Sequence, residues 1–126
     1  MTDKVVVFVT CGSAEEAGRI ARALVEERLA ACVNISSPIR SLYRWEGQVC
    51  DDQEVLLVIK TARALFDRVR RAVEKRHSYQ VPEVICLPVI DGAPNYLNWL
   101  TEAVVGDTGP RPRPHLAKPK PTKRKK

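Results

Sequence analysis

Three side chains of this sequence have the chemistry of a metal site, and none of them makes one alone. His77 is the only histidine outside the segment 106–126. Imidazole is the commonest protein ligand for copper and zinc, but one ring fixes no coordination sphere. Its partners must come from distant parts of the chain or from a second copy, and the candidates are Cys11, Glu83 and a symmetry-related His77. Thiolate with imidazole would favour Cu(II) or another soft or borderline divalent ion, and Glu83 would add an oxygen. The alternative is a hydrogen-bonded structural histidine at a helix end, where an imidazolium suits the dipole.

A second constellation combines Lys60, Glu54, Glu83 and Tyr79. The charged ends of two strands and the loop Tyr79-Gln80-Val81-Pro82 are expected to converge in a cleft between subunits. A lysine ending an apolar strand would hold a small anionic ligand there; otherwise it is solvated or paired with Glu83. Tyr43 and Trp45 on a hairpin, and Tyr96 and Trp99 on a late helix, read as subunit-interface anchors. No nucleophile motif, HExxH, P-loop or GxGxxG occurs, so a binding protein is expected and an enzyme is not.

Charge is divided sharply along the chain. Residues 1–105 carry 13 Lys and Arg against 14 Asp and Glu, whereas residues 106–126 carry 8 against the single Asp107. That tail holds five of the nine prolines and few apolar side chains, so it is read as a disordered appendage following one domain over 1–105. Any nucleic-acid contact is expected to be weak, non-specific, salt-sensitive and confined to Lys118–Lys126. The apolar run Val5–Val9 is far too short for a membrane span or a signal-peptide core, so no membrane contact and a cytoplasmic location are expected. Cys11, Cys32, Cys50 and Cys86 form no CxxC pair and are expected to be free thiols, Cys50 in a hairpin loop.

The elements that must position these groups follow from periodicity. Lys4–Thr10 is β-branched and apolar on both faces, as in a central strand. Ser13 and Glu16 form a capping box for a helix reaching about Ala30, with Ala17, Ile20, Ala21 and Leu24 at helical spacing. Strands follow at Cys32–Ile35, Ile39–Trp45 and Glu54–Lys60, with a turn at Glu46-Gly47. A second amphipathic helix carries Leu65, Val69 and Val73. The strand Glu83–Ile90 contains Pro88, which points to a sheet edge, and a short helix from Asn95 to Ala103 ends the domain. The order βαββαβ with an extra C-terminal helix specifies an α+β, ferredoxin-like sandwich. An RNA-recognition module shares this order but needs aromatics on its middle strands, and Val55–Ile59 has none. Two helices cover only one face of such a sheet. The other face must pack on copies of the same chain, and a closed homo-oligomeric ring is expected.

Six segments carry a resemblance: Val6-Val-Phe-Val-Thr10, Glu27-Arg-Leu-Ala-Ala-Cys-Val-Asn-Ile35, Ser41-Leu-Tyr-Arg-Trp-Glu-Gly47, Leu57-Val-Ile-Lys-Thr61, His77-Ser-Tyr-Gln-Val-Pro-Glu83 and Tyr96-Leu-Asn-Trp-Leu100. In this order they resemble the CutA divalent-cation-tolerance family. The resemblance implies a homotrimer with PII-like architecture, hairpins that reach across subunits, and a link to copper and other divalent metals. A PII-like signalling or scaffold module, binding a small anionic metabolite or a partner protein in its clefts, is the other function it allows. The chain departs from the family in two places. His77 is followed by Ser78 where the usual form has Pro, which is expected to loosen the backbone. Members implicated in copper binding carry a Cys on the first strand and two neighbouring His, and the matching positions here are Val9 and Arg76, leaving only His77.

Overall fold

The computed structural model describes residues 1–104; the basic tail, with the reading placed on it, lies outside the described residues. Within them the order is β1 (Lys4–Cys11), α1 (Ala14–Glu26), β2 (Cys32–Ile35), β3 (Ile39–Trp45), β4 (Gln48–Ala62), a 3₁₀ turn (Arg63–Leu65), α2 (Phe66–Arg76), β5 (Val84–Pro88) and α3 (Pro94–Ala103). The sheet order is β2-β4-β1-β5 with every pair antiparallel, and β3 pairs with the first half of β4. This is the ferredoxin-like arrangement. β5 is an edge strand, which accommodates Pro88 opposite Val5.

Alternation decides the core. Val5, Val7, Val9 and Cys11 on β1, with Val55, Leu57 and Ile59 on β4, are buried against Ala17, Ile20 and Leu24 of α1 and Val69 and Val73 of α2. Each fully buried aliphatic side chain contributes about 1.5–3 kcal/mol of transfer free energy. The opposite face presents Val6, Phe8, Leu56 and Val58, with Ile85 49% and Leu87 40% exposed on β5. No helix of the described residues is long and apolar enough to cross a membrane.

β5 is shorter than the expected Glu83–Ile90, and two boundaries differ by more. α1 stops at Glu26, short of Ala30, because Arg28 takes φ 61°. The Leu29 N–H then donates to the Leu24 carbonyl and the Arg28 N–H to the Val25 carbonyl, a Schellman closure that turns Leu29 and Ala30 into the core. β4 is also much longer than Glu54–Lys60: the strand begins at Gln48, and Cys50 pairs with Tyr43 inside the ladder instead of lying in a loop. The loop itself is only Glu46 (φ 51°) and Gly47 (φ 79°), a type I′ turn whose twist matches the paired strands. The polar run from Gln48 to Gln53 concealed this strand, because it leaves the sheet core and projects into solvent with β3.

Candidate functional site

The first cluster lies where β1, α1 and the segment after α2 meet. β1 continues far enough to bury Cys11 on the same face as Val9, and α2 ends with His77 at its C-cap. Cys11, Glu16 and His77 each offer a donor atom, all within 4.8 Å of one another. Glu83 is not the third member; Glu16 is. Sequence reasoning placed Glu16 in a capping box, and only half of that box exists. Its N–H donates to Ser13 Oγ at 3.1 Å, but its carboxylate turns away to accept from the Ser78 N–H (2.6 Å) and Ser78 Oγ (3.1 Å). Ser78, expected to loosen the backbone, supplies two bonds here, one of them through the N–H that proline lacks.

The hydrogen bonds assign the state of His77. Its Nδ1 accepts from the Tyr79 N–H at 3.0 Å, so Nδ1 is unprotonated, and Nε2 lies 2.7 Å from the Thr10 carbonyl, so Nε2 carries the hydrogen and donates it. The imidazole is fully buried, bonded at both nitrogens, and its Nδ1 lies 3.9 Å from Glu16 Oε2. A metal would have to take the Nδ1 lone pair and orphan a backbone N–H, at a cost of about 1–3 kcal/mol. The thiol is no readier. Burial, with the charges of Glu16 and Glu54 added, pushes Cys11 up from 9.0 to about 11. Ionising it at pH 7 costs about 5 kcal/mol at 1.36 per unit. The residues of this cluster do not fit a metal site as they stand. At the positions where copper-linked members were expected to differ, Val9 is buried core and Arg76 pairs with Glu27 at 2.8 Å.

The second site is a cleft of about 760 Å³ between the hairpin and the loop after α2, lined by Thr10, Ile39, Tyr43, Trp45, Glu54, Tyr79 and Glu83 among others. Glu54 ends the buried part of β4, and the Tyr79 hydroxyl donates to its Oε2 at 2.8 Å. Burial, and then that carboxylate, hold the Tyr79 phenol well above its ordinary range. The Glu83 carboxyl is raised above 4.5 by burial and by the charge of Glu54, while a hydrogen bond with Thr10 acts the other way. On the outer wall a hydrogen bond to Asp52 pushes Tyr43 up to about 12. Arg40, the one basic residue lining the cleft among the described residues, is engaged by Asp51 through two bonds of 2.9 and 2.6 Å.

The structure therefore brings Glu54, Glu83 and Tyr79 together, and leaves Lys60 out. Lys60 shares a strand face with Glu54 but lies six residues further along β4, about 20 Å away at strand rise. Its ammonium is bonded to Asn34 Oδ1. Without it the described lining of the cleft holds the carboxylates of Glu54 and Glu83 and the Asp51-paired Arg40. Trp99 is also corrected: only 3% exposed, it packs with Leu65, Leu100 and Val104 because α3 folds its apolar face back onto Ala31. Tyr43 and Trp45 are 41% and 42% exposed on the hairpin.

Comparison with known proteins agrees with this architecture. Residues 5–103 match the sequence model of the CutA1 divalent ion tolerance protein. The chain belongs to that family. A divalent-cation tolerance protein CutA from Thermus thermophilus is 50% identical over 97 residues, covering 77% of this chain and 94% of that protein. Human protein CutA is 47% identical over 95 residues, and there the match spans 53% of the relative. Among solved structures, the Thermus thermophilus protein superposes with TM-score 0.78 at 48% identity, covering 80% of this chain and 98% of that one. CutA1 from Oryza sativa gives 0.80 at 44% identity, covering 82% and 95%.

Proposed function

We propose that this protein is a homotrimeric, non-enzymatic divalent-cation-binding protein of cation tolerance and the response to metal ions, working in the cytoplasm, and that Glu54 and Glu83 hold the cation. The observation that carries the reading is the shared cleft of these two carboxylates, in whose lining, among the described residues, Arg40 is the one basic group and is held by Asp51. A divalent cation entering between them would offset the burial and the Glu54 charge that together raise Glu83. Carboxylate oxygens suit Mg, Ca or Mn more than copper. The uncovered apolar face of β1, β4 and β5 and the exposed hairpin aromatics support assembly with further copies. A neighbouring copy seated there would convert the cleft into an intersubunit site.

Copper held by His77 and Cys11 is the second reading, favoured by the 4.8 Å grouping with Glu16. It must meet the deprotonation and hydrogen-bond costs given above. Titration calorimetry of the reduced protein with Mn(II), Zn(II) and Cu(II) separates the two. Binding lost in Glu83→Gln and retained in Cys11→Ser supports the cleft. Binding retained in Glu83→Gln and lost in Cys11→Ser would replace it with the cluster. Sedimentation at micromolar concentration should give a trimer; a monomer would remove the assembly from the proposal.

A further inference from the structure

The segment joining α2 to β5 is held by three consecutive residues on three different elements. His77 Nε2–H reaches the Thr10 carbonyl on β1, Ser78 reaches the Glu16 carboxylate on α1 through both its N–H and its hydroxyl, and Tyr79 reaches Glu54 on β4. The bond from the Tyr79 N–H to His77 Nδ1 locks the first and third of these together. The two rings also contact each other, with centroids 4.7 Å apart. Tyr79 then lies over Gly12, where an added Cβ would stand 3.3 Å from its hydroxyl oxygen. The position of the phenol is thus set from the backbone of β1 and from the buried imidazole, and the phenol fixes one oxygen of Glu54.

We infer that His77, Ser78 and Glu16 form a latch that positions Tyr79 and Glu54 for the cleft, and that the imidazole acts through its two hydrogen bonds and not as a metal ligand. The inference rests on the cleft being the cation site. It assigns Glu16 a role that a helix-capping residue would not have, and it explains why serine at position 78 is compatible with an ordered loop. His77 and Glu16 are positioning residues, since their effect on the cleft passes through Tyr79.

Two histidine replacements divide the latch. His77→Asn keeps an acceptor two residues before the Tyr79 N–H, in the geometry of an Asx turn. His77→Gln keeps an N–H directed at the Thr10 carbonyl and loses that acceptor. The readouts are backbone amide exchange at Ser78 and Tyr79, thermal melting, and Mn(II) affinity of the full chain. His77→Gln is expected to speed Tyr79 amide exchange and to weaken Mn(II) binding by about tenfold each, the equivalent of one lost hydrogen bond, with His77→Asn close to wild type in both. Tyr79→Phe should reproduce the affinity loss without the change in exchange. Equal loss of Mn(II) binding in both histidine variants would overturn the inference. So would a thiolate-to-metal charge-transfer band in the Co(II)-loaded protein that disappears in Cys11→Ser. If the wild type binds no Mn(II), or Glu83→Gln binds it unchanged, the cleft reading fails, and with it the positioning role. The latch as a structural tie is decided separately, by the difference in amide exchange between the two histidine variants.

Discussion

Cys11 tests the electrostatics of the buried cluster most directly, because the same chain carries its own controls. Its folded value of about 11 against an ordinary 9.0 reduces the thiolate at any neutral pH. Two units correspond to about 2.7 kcal/mol and a hundredfold smaller reactive fraction, leaving about one thiolate in 10⁴ at pH 7. Cys11 is also fully buried, whereas Cys50 is partly exposed on the hairpin. Pulsed iodoacetamide labelling at pH 7, read peptide by peptide in a mass spectrometer, should show Cys50 consumed at least about a hundredfold faster than Cys11. Zn(II) should not slow Cys11 labelling, since an ion held by Glu54 and Glu83 would offset the Glu54 charge that helps raise the thiol and would leave the sulfur unligated. Glu16→Gln removes one of the charges that raises the thiol and should increase its rate. Labelling of Cys11 within about tenfold of Cys50, or protection of Cys11 by Zn(II), would refute the argument that this thiol is neutral and unavailable to metal.

Other substitutions address the scaffold around the site. The Arg28 guanidinium donates to the carbonyls of Glu102 and Val104 at 2.9 and 3.1 Å, clamping the end of α3, so Arg28→Ala should destabilise by about 1.5–3 kcal/mol in a denaturant melt. Arg28→Gly loses the same clamp but relieves the left-handed backbone, and should be about 1 kcal/mol less damaging. Glu83 holds its proton more tightly folded than unfolded, so its contribution to stability is present below its unfolded value of about 4.5 and is lost as pH rises through the raised folded value. Glu83→Gln should flatten that part of the stability–pH curve and stabilise the cation-free protein at pH 7; an unchanged curve would contradict the burial of Glu83 beside Glu54. Thr61→Val strips a buried hydroxyl from the Leu29 carbonyl at 2.6 Å and should lower stability by about 1–3 kcal/mol, measured by the same melt.

Local chemistry settled the elements of this protein wherever periodicity or a turn residue could act alone. The apolar run of β1, the helical spacing of Ala17, Ile20 and Leu24, the Glu46-Gly47 turn and the edge position of Pro88 all needed only neighbours along the chain. The family, too, was legible in the six segments, because their words and order span residues 5–103 of the match. Of the group that the sequence placed in a cleft between subunits, Tyr79, Glu54 and Glu83 line one cleft within the chain, and Lys60 does not.

What tertiary structure alone decided was where each polar atom finds its partner. The Glu16 carboxylate had a capping position within reach, yet it turns to Ser78, 62 residues away, because the end of α2 is delivered against α1 by packing of their apolar faces. Lys60 and Glu54 share a face, but strand rise separates them, and the nearest acceptor for the lysine comes from β2 across the sheet. Trp99 is buried because α3 folds back over Ala31 and Leu65, a contact no local pattern encodes. His77 could be recognised as chemically capable from its type alone; that both its nitrogens are already bonded is a property of the closed fold, in which buried donors and acceptors must find partners before any ligand can claim them.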